Sequence, residues 1–227
     1  MRELFYKANV LVSEENLLNF ERYYNLLIKY NNKFNITAIT EKKEVYIKHF
    51  IDSILSKKEF NGYSLLDVGS GGGFPALPLK IVNENLTITM LEATEKKCEF
   101  LKEVINNLTL KNASVINGRA EELSLKKEYR EKYDIVTARA VARLNVLAEY
   151  CMPFVRIGGT FLAFKGEAGR EELKEAENAI KMLGGEIEKI EEFELFDNKR
   201  CIIHVKKIKK TEEKYPRKNG QIRKRPL

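Results

Sequence analysis

The chain has 227 residues, with 40 Lys and Arg against 33 Asp and Glu, a formal net charge of +7, and 44% apolar residues with no Trp. That is long enough for one large or two small domains and apolar enough to bury a core, which excludes global disorder. No apolar run approaches the roughly 20 residues that span a bilayer. The opening Met1-Arg2-Glu3-Leu4-Phe5-Tyr6-Lys7 lacks the layout of a signal peptide. Cys98, Cys151 and Cys201 are odd in number and have no Cys-x-x-Cys spacing, which argues against a disulfide framework or metal site and for a reducing, cytoplasmic setting.

Residues 1–60 read as an N-terminal helical region. Ser13 is a plausible N-cap, Glu14 and Glu15 suit the first turn, and Leu17, Phe20, Tyr24 and Leu27 follow at helical spacing. Asn31-Asn32-Lys33-Phe34-Asn35 breaks that helix. A second follows Thr40, with Ile47, Phe50, Ile51, Ile54 and Leu55 on one face. From Ser64 the pattern changes to alternating strands and helices: strands at 65–68, 86–91, 113–117, 134–138 and 158–164, with helices after Thr94, over about 144–152 and near 170–183. Gly184-Gly185 opens two last strands, about 186–196 and 200–208, with no helix between them. Helical crossovers imply a mostly parallel, Rossmann-like sheet, here seven-stranded, and the closing pair implies an antiparallel hairpin at one edge. The expected organisation is 1–60 helical, 61–208 α/β domain and 209–227 basic tail, together one compact unit. No spare apolar stripe demands a dimer, so a monomer is expected.

The positive balance is concentrated at the end. Residues 206–227 hold ten bases and two acids, leaving −1 for residues 1–205. A solvated, frayed terminus is one reading. The sharper one is a phosphate-binding arm, because clustered Lys and Arg release counterions from nucleic acid. Composition alone does not separate RNA, DNA and anionic membrane.

The richest segment is Asp67-Val68-Gly69-Ser70-Gly71-Gly72-Gly73-Phe74-Pro75, at the carboxyl end of the first strand of the α/β region, where such sheets bind ligands. Glu92 ends the next strand, 23 residues beyond Gly69, where a carboxylate suits the hydroxyls of an adenosine ribose. Phe74 stands where a dinucleotide fingerprint needs its last glycine, and no P-loop Gly-Lys-Ser/Thr is present. An acid at Asp67 would repel a pyrophosphate but favour the ammonium and sulfonium of S-adenosylmethionine. The loop therefore favours a methyl donor.

The run from Leu65 to Lys80, LLDVGSGGGFPALPLK, resembles motif I of the bacterial 16S rRNA guanine-N7 methyltransferase G family, RsmG or GidB. Asn35-Ile36-Thr37-Ala38-Ile39 with His49-Phe50-Ile51-Asp52-Ser53 resembles its N-terminal signature, Arg139-Ala140-Val141-Ala142 its motif after strand four, and Phe164-Lys165-Gly166 its strand-five end. Lys214-Tyr215-Pro216-Arg217-Lys218-Asn219-Gly220 is similar to its C-terminal signature, in which alanine is common where Asn219 stands. The resemblance implies a class I S-adenosylmethionine-dependent methyltransferase fold and methylation of N7 of one guanine in the decoding region of 16S rRNA, on the small subunit or an assembly intermediate. It implies that Gly69 and Phe74, in the same loop as Asp67 and Gly71, line the cofactor site, that Glu92 holds the ribose, that Ala120 and Glu121 border the adenine, and that Arg139 sits at the cofactor–substrate junction. Lys96, Arg119, Lys165 and Arg200 match basic positions of the family, and Lys214, Arg217 and Lys218 belong to the tail that would meet RNA.

N7 of guanine carries a lone pair and no proton, so direct attack on a methyl group needs no general base. The three cysteines read as packing residues, His49 and His204 as structural, and Tyr23, Tyr24 and Tyr30 as core. Arg139 is a candidate to hydrogen-bond guanine O6, and its bland alternative is a salt bridge to Asp67 or Glu121. Two other classes stay open: a methyltransferase acting elsewhere, and a non-catalytic RNA-binding module for ribosome assembly.

Overall fold

The computed structural model describes residues 1–56 and 60–227, so residues 57–59, next to the expected boundary at residue 60, lie outside the described residues. The chain enters through α1 (Arg2–Lys7) and α2 (Glu14–Asn31). The Ser13 hydroxyl caps α2 by accepting from Asn16 N at 3.1 Å, with Glu14 and Glu15 favourable to the positive end of the helix dipole. After α2 the Asn31 Oδ1 accepts from the amides of Ile36 and Thr37, at 2.8 and 2.9 Å, and folds the polar break into a turn.

The expected second helix is present but not uniform. It runs as α3 (Lys42–Val45), a π-helical stretch Tyr46–Ile51, and α4 (Asp52–Ile54). The wider turn lets Tyr46, Ile47, Phe50 and Ile51 all be buried. A hydrophobic stripe scored at 3.6 residues per turn carries no mark of that change.

The α/β region follows as β1 (Ser64–Val68), α5 (Ala76–Val82), β2 (Thr87–Glu92), α6 (Glu95–Asn107), β3 (Ala113–Asn117), α7 (Ala120–Leu123), β4 (Tyr133–Arg139), α8 (Leu144–Cys151), β5 (Val155–Lys165), α9 (Gly169–Met182), β6 (Gly185–Leu195), β7 (Asn198–Lys207) and α10 (Asn219–Lys224). β5 begins at Val155, earlier than the glycine pair at 158–159 suggests. The sheet order is β3-β2-β1-β4-β5-β7-β6, parallel through β5, with β7 antiparallel to both β5 and β6. The order reverses direction at β1, whose two neighbours are β2 and β4, which makes the crevice above β1 and β4 the topological switch point.

Helices cover both faces. One core cluster joins Phe5, Phe20, Tyr23 and Phe50 of the N-terminal helices to Leu65, Ile88, Phe100 and Leu162. The other joins α8 and α9 to the opposite face through Leu147, Phe161, Ile180 and Val205, and includes Tyr215 and Ile222 of the tail.

The tail is neither frayed nor a free arm. Tyr215 and Ile222 are buried, and the Arg130 guanidinium donates to the carbonyls of Ser124, Thr211, Glu212 and Tyr215. Arg217 donates to the fully buried Glu149 through Nε and Nη2, at 2.9 and 2.6 Å, and its amide adds a third bond at 2.8 Å. Lys207 is buried on the carbonyls of Met152 and Leu183, where desolvation pushes its amine down to about 8. Part of the sequence's positive balance therefore secures the tail rather than charging its surface. No described helix is long and apolar enough to cross a membrane.

Candidate active site

β1 delivers Asp67 and runs into the glycine loop at the switch point. Gly69 has φ +72°, and a Cβ there would lie 2.8 Å from Val141 Cγ2, so the chain needs glycine both for its backbone and for the loop after β4 that lies over it. Gly73, at φ +91°, would place a Cβ 2.7 Å from the Tyr23 hydroxyl and 2.4 Å from Leu77 Cδ1. The Tyr23 hydroxyl donates to the Gly72 carbonyl, so the N-terminal helices hold the loop directly. Glu92 closes it from β2: Oε2 accepts from Gly71 N at 2.9 Å and Oε1 from Thr94 N at 2.8 Å.

Asp67 is fully buried. Its Oδ1 accepts from Thr137 Oγ1 at 2.9 Å, while Oδ2 has no hydrogen-bond partner among the described residues. Burial pushes its carboxyl up to about 7, against the lowering effect of nearby hydroxyls and Arg139. A buried acceptor without a donor, beside a glycine turn and the Glu92 carboxylate, fits a ligand that brings cationic or N–H groups, as the amino end of S-adenosylmethionine does.

Phe74, expected to line the cofactor site, turns largely into an aromatic stack. Its ring lies 4.4 Å from His49 and 5.6 Å from Tyr23, and Arg139 Cζ sits 5.2 Å from its centroid. Ala120 and Glu121 open α7 beside β3, half-buried, with exposed Arg119 just before them. Lys96 is exposed at the start of α6.

Arg139 ends β4 and makes an ion pair with neither Asp67 nor Glu121, the acids named in the alternative reading of it. Its Nη1 instead donates to Asp52 Oδ2 and to the Lys48 carbonyl, both at 3.2 Å, and Nη2 meets His49 Nδ1 at 3.2 Å. The same Nδ1 lies 3.2 Å from the Lys48 carbonyl, and Nε2 lies 2.9 Å from Thr37 Oγ1, so both ring nitrogens have polar partners. Burial and the Arg139 charge push the imidazole down to about 3, which keeps it neutral. Asp52 also takes Arg200 Nε on Oδ1 at 2.9 Å, and burial raises its carboxyl despite both arginines. The π-helical stretch thus supplies Lys48 and His49, and α4 supplies Asp52. The sequence reading takes His49 as a structural histidine, and quotes His49 and Asp52 otherwise as parts of a signature. Their partner in space is about 90 residues away, and nothing local announces it.

These groups line a cleft of about 600 Å³ over the ends of β4 and β5, with Val141, Lys165, Phe193 and Cys201 in its walls. Lys165 Nζ donates to the Ala142 carbonyl and to Glu172, both at 2.7 Å. Burial pushes the Cys201 thiol up to about 11, which leaves no thiolate at neutral pH. His204 is fully buried with Nε2 3.1 Å from Glu191 Oε1, a structural setting. Among the described residues no cluster of His, Cys, Asp or Glu could hold a metal ion. Of the tail candidates, Lys214 and Lys218 are exposed and Arg217 is engaged with Glu149.

A glycine loop at the switch point of a 3-2-1-4-5-7-6 sheet, with Asp67 one residue before the end of β1 and Glu92 ending β2, is the arrangement of the class I S-adenosylmethionine-dependent methyltransferases. Solved structures agree on the fold: a SAM-dependent methyltransferase from Aquifex aeolicus has a TM-score of 0.56 at 15% identity, covering 79% of this chain and 97% of that one. Aeropyrum pernix fibrillarin, a structure with natively bound S-adenosyl-L-methionine, has a TM-score of 0.53 at 17% identity, covering 68% and 71%. The family model described as rRNA small subunit methyltransferase G, GidB, matches residues 16–220, and the chain belongs to that family. Among relatives named ribosomal RNA small subunit methyltransferase G, that of Geobacillus thermodenitrificans is 46% identical over 97% of this chain and 95% of its own. That of Leuconostoc citreum is 43% identical over the same shares.

Proposed function

We propose that the chain transfers a methyl group from S-adenosylmethionine to N7 of one guanine in the decoding region of 16S rRNA. The observation that carries this reading is the basic cleft set against the glycine loop, in a member of this family. When bound, S-adenosylmethionine supplies an electrophilic methyl on a sulfonium. Asp67, Gly69, Gly71 and Glu92 are the residues that would hold it, with Ala120 and Glu121 at the adenine end, and the partnerless Asp67 Oδ2 is what supports that assignment.

The protein's task is then to bring in a guanine, exclude water and align its N7 lone pair. The cleft suits that task by what it lacks in reactive groups: His49 is neutral with both ring nitrogens engaged, and Cys201 stays a thiol. Direct attack requires neither base nor thiolate. Arg139 has N–H groups left over after its bonds to Lys48, Asp52 and His49, and guanine O6, next to N7, is an acceptor they suit. Lys165 and Arg200 in the cleft, and Lys96, Arg119, Lys214 and Lys218 on the surface, are the proposed RNA contacts. Arg217 serves instead to dock the tail.

The test is methyl transfer from labelled S-adenosylmethionine to unmodified small-subunit particles, with aniline cleavage locating 7-methylguanine. A single cleavage in decoding-region rRNA, lost in Glu92→Ala, is the expected result. Label in another base leaves a methyltransferase with a different target. RNA binding without transfer favours the assembly-module alternative.

A further inference from the structure

Five cations line the cleft, and three have a carboxylate of their own: Lys48 pairs with Glu44, Arg143 with Glu175 and Lys165 with Glu172. Arg139 and Arg200 share one. Asp52, 6% exposed, accepts from Arg139 on Oδ2 at 3.2 Å and from Arg200 on Oδ1 at 2.9 Å. Asp67 also faces Arg139 electrostatically, but no hydrogen bond joins them among the described residues. The two guanidiniums therefore share one hydrogen-bonded carboxylate in a part-desolvated place, a setting in which an incoming anion is a favourable further partner.

The two arginines are not equivalent. Arg139 lies against Phe74, with its side chain 14% exposed and its Nη atoms bonded to the π-helical stretch. Arg200 rises from β7 with its side chain 21% exposed. Its Nε is fixed by Asp52, its Nη1 donates to the Lys199 carbonyl at 3.1 Å, and its Nη2 has no hydrogen-bond partner among the described residues. A guanidinium fork held on one side and open on the other matches a phosphate oxygen pair.

We propose that Arg200 takes one backbone phosphate of the RNA beside the target nucleotide, and that Asp52 is the positioning residue that sets this phosphate contact in register with Arg139 at the base. The inference rests on the reading of the chain as an rRNA methyltransferase. It divides labour between the arginines: Arg200 supplies binding that is equal in ground and transition states, while Arg139 acts on the reacting base. One carboxylate fixes the distance between them.

The experiment uses the full-length chain and its Arg200→Ala, Arg200→Lys and Asp52→Asn variants. It measures KM and kcat on unmodified small-subunit particles, the salt slope of RNA binding, and the affinity for S-adenosylmethionine. Arg200→Ala is expected to raise KM about tenfold and to lower the salt slope by about 0.7, one single-stranded phosphate contact, with the loss carried by KM. Arg200→Lys retains the slope. Asp52→Asn, which removes a negative charge, retains RNA affinity but lowers kcat about tenfold, because register is lost. A merely structural role for Asp52 would instead lower the melting temperature and cofactor affinity together with both kinetic constants.

Unchanged KM and slope in Arg200→Ala overturn the proposal. So does weakened cofactor affinity in that variant, which would assign the anion to the cofactor's carboxylate, and so does a wild-type kcat in Asp52→Asn. If Asp52→Asn does not fold, the two Arg200 variants decide the phosphate contact. If the wild-type chain binds the RNA but transfers no methyl, the catalytic reading falls, and the Arg200→Ala slope still decides this one.

Discussion

Asp67 shows how much a single residue's meaning depends on its surroundings. In sequence it is an acid before a glycine turn. In the structure it is a fully buried carboxyl with one hydroxyl donor and one oxygen unpartnered, held up at about 7 chiefly by desolvation. An unfolded aspartate titrates near its model value of 3.8, so between about pH 4 and pH 7 the unfolded chain loses this proton while the native chain keeps it. Native stability from this group is therefore fully present below about pH 4, declines as pH rises to about 7, and is constant above that, by at most about 4 kcal/mol. Asp67→Asn should remove that decline: its melting temperature, relative to wild type, should rise from pH 4 to pH 8. Parallel thermal melts check this, and parallel pH profiles for the two proteins would refute it. The same variant should weaken S-adenosylmethionine binding at pH 8, where the wild-type carboxylate is ionised and attracts the cofactor's ammonium, and calorimetry reads that loss directly.

At the scale of elements, the strands, most helices and the closing hairpin were legible because each rests on a local pattern. Alternation with crossovers gives the parallel sheet, Ser13 with Glu14 and Glu15 gives the start of α2, and Gly184-Gly185 gives the turn from α9 into β6. What escaped was set by distant partners. The π-helical stretch is one such feature. The Lys48 carbonyl there accepts from Arg139, and Asp52, just beyond it, gathers two arginines from β4 and β7. Of the candidate site, Asp67, the glycines and Glu92 are grouped by local pattern because they lie close together in sequence. Arg139, Lys165 and Arg200 are named only through the family resemblance, and no local pattern announces that Lys48, His49 and Asp52 share a cleft with them. The same long-range logic gives α2 a task beyond packing, because the Tyr23 hydroxyl donates to Gly72 inside the glycine loop. Tyr23→Phe keeps the ring stacks with Phe50 and Phe74 and leaves a buried carbonyl without its donor. The expected cost is about 1–3 kcal/mol of stability, with weaker cofactor binding because the loop loses its tether. Denaturant unfolding and calorimetry measure both, and a loss of stability with cofactor affinity unchanged would show the tether to be purely structural.

For the whole molecule, charge is sorted rather than spread. Some bases of the last 22 residues hold the fold together, with Arg217 of the tail on Glu149 and Lys207 at the end of β7 on buried carbonyls, while Lys218, Arg223, Lys224 and Arg225 remain exposed on and around α10. The sequence places the positive balance at the end of the chain, but it cannot say which bases are structural, because Glu149 lies in an unremarkable part of α8. Two kinds of substitution in one tail should therefore give opposite signatures. Arg217→Ala leaves Glu149 buried with only backbone support, a defect of about 3–5 kcal/mol that should release the tail to proteolysis and lower the melting temperature. Replacing both Lys218 and Lys224 with Glu should leave the melting temperature within about 1 °C, since exposed charges contribute little to stability. It should instead flatten the salt dependence of RNA binding, because each lost phosphate contact removes about 0.7 from the slope on single-stranded RNA. If the double variant keeps the wild-type slope, RNA passes only over the cleft, and the tail's role is to brace α8 beneath it.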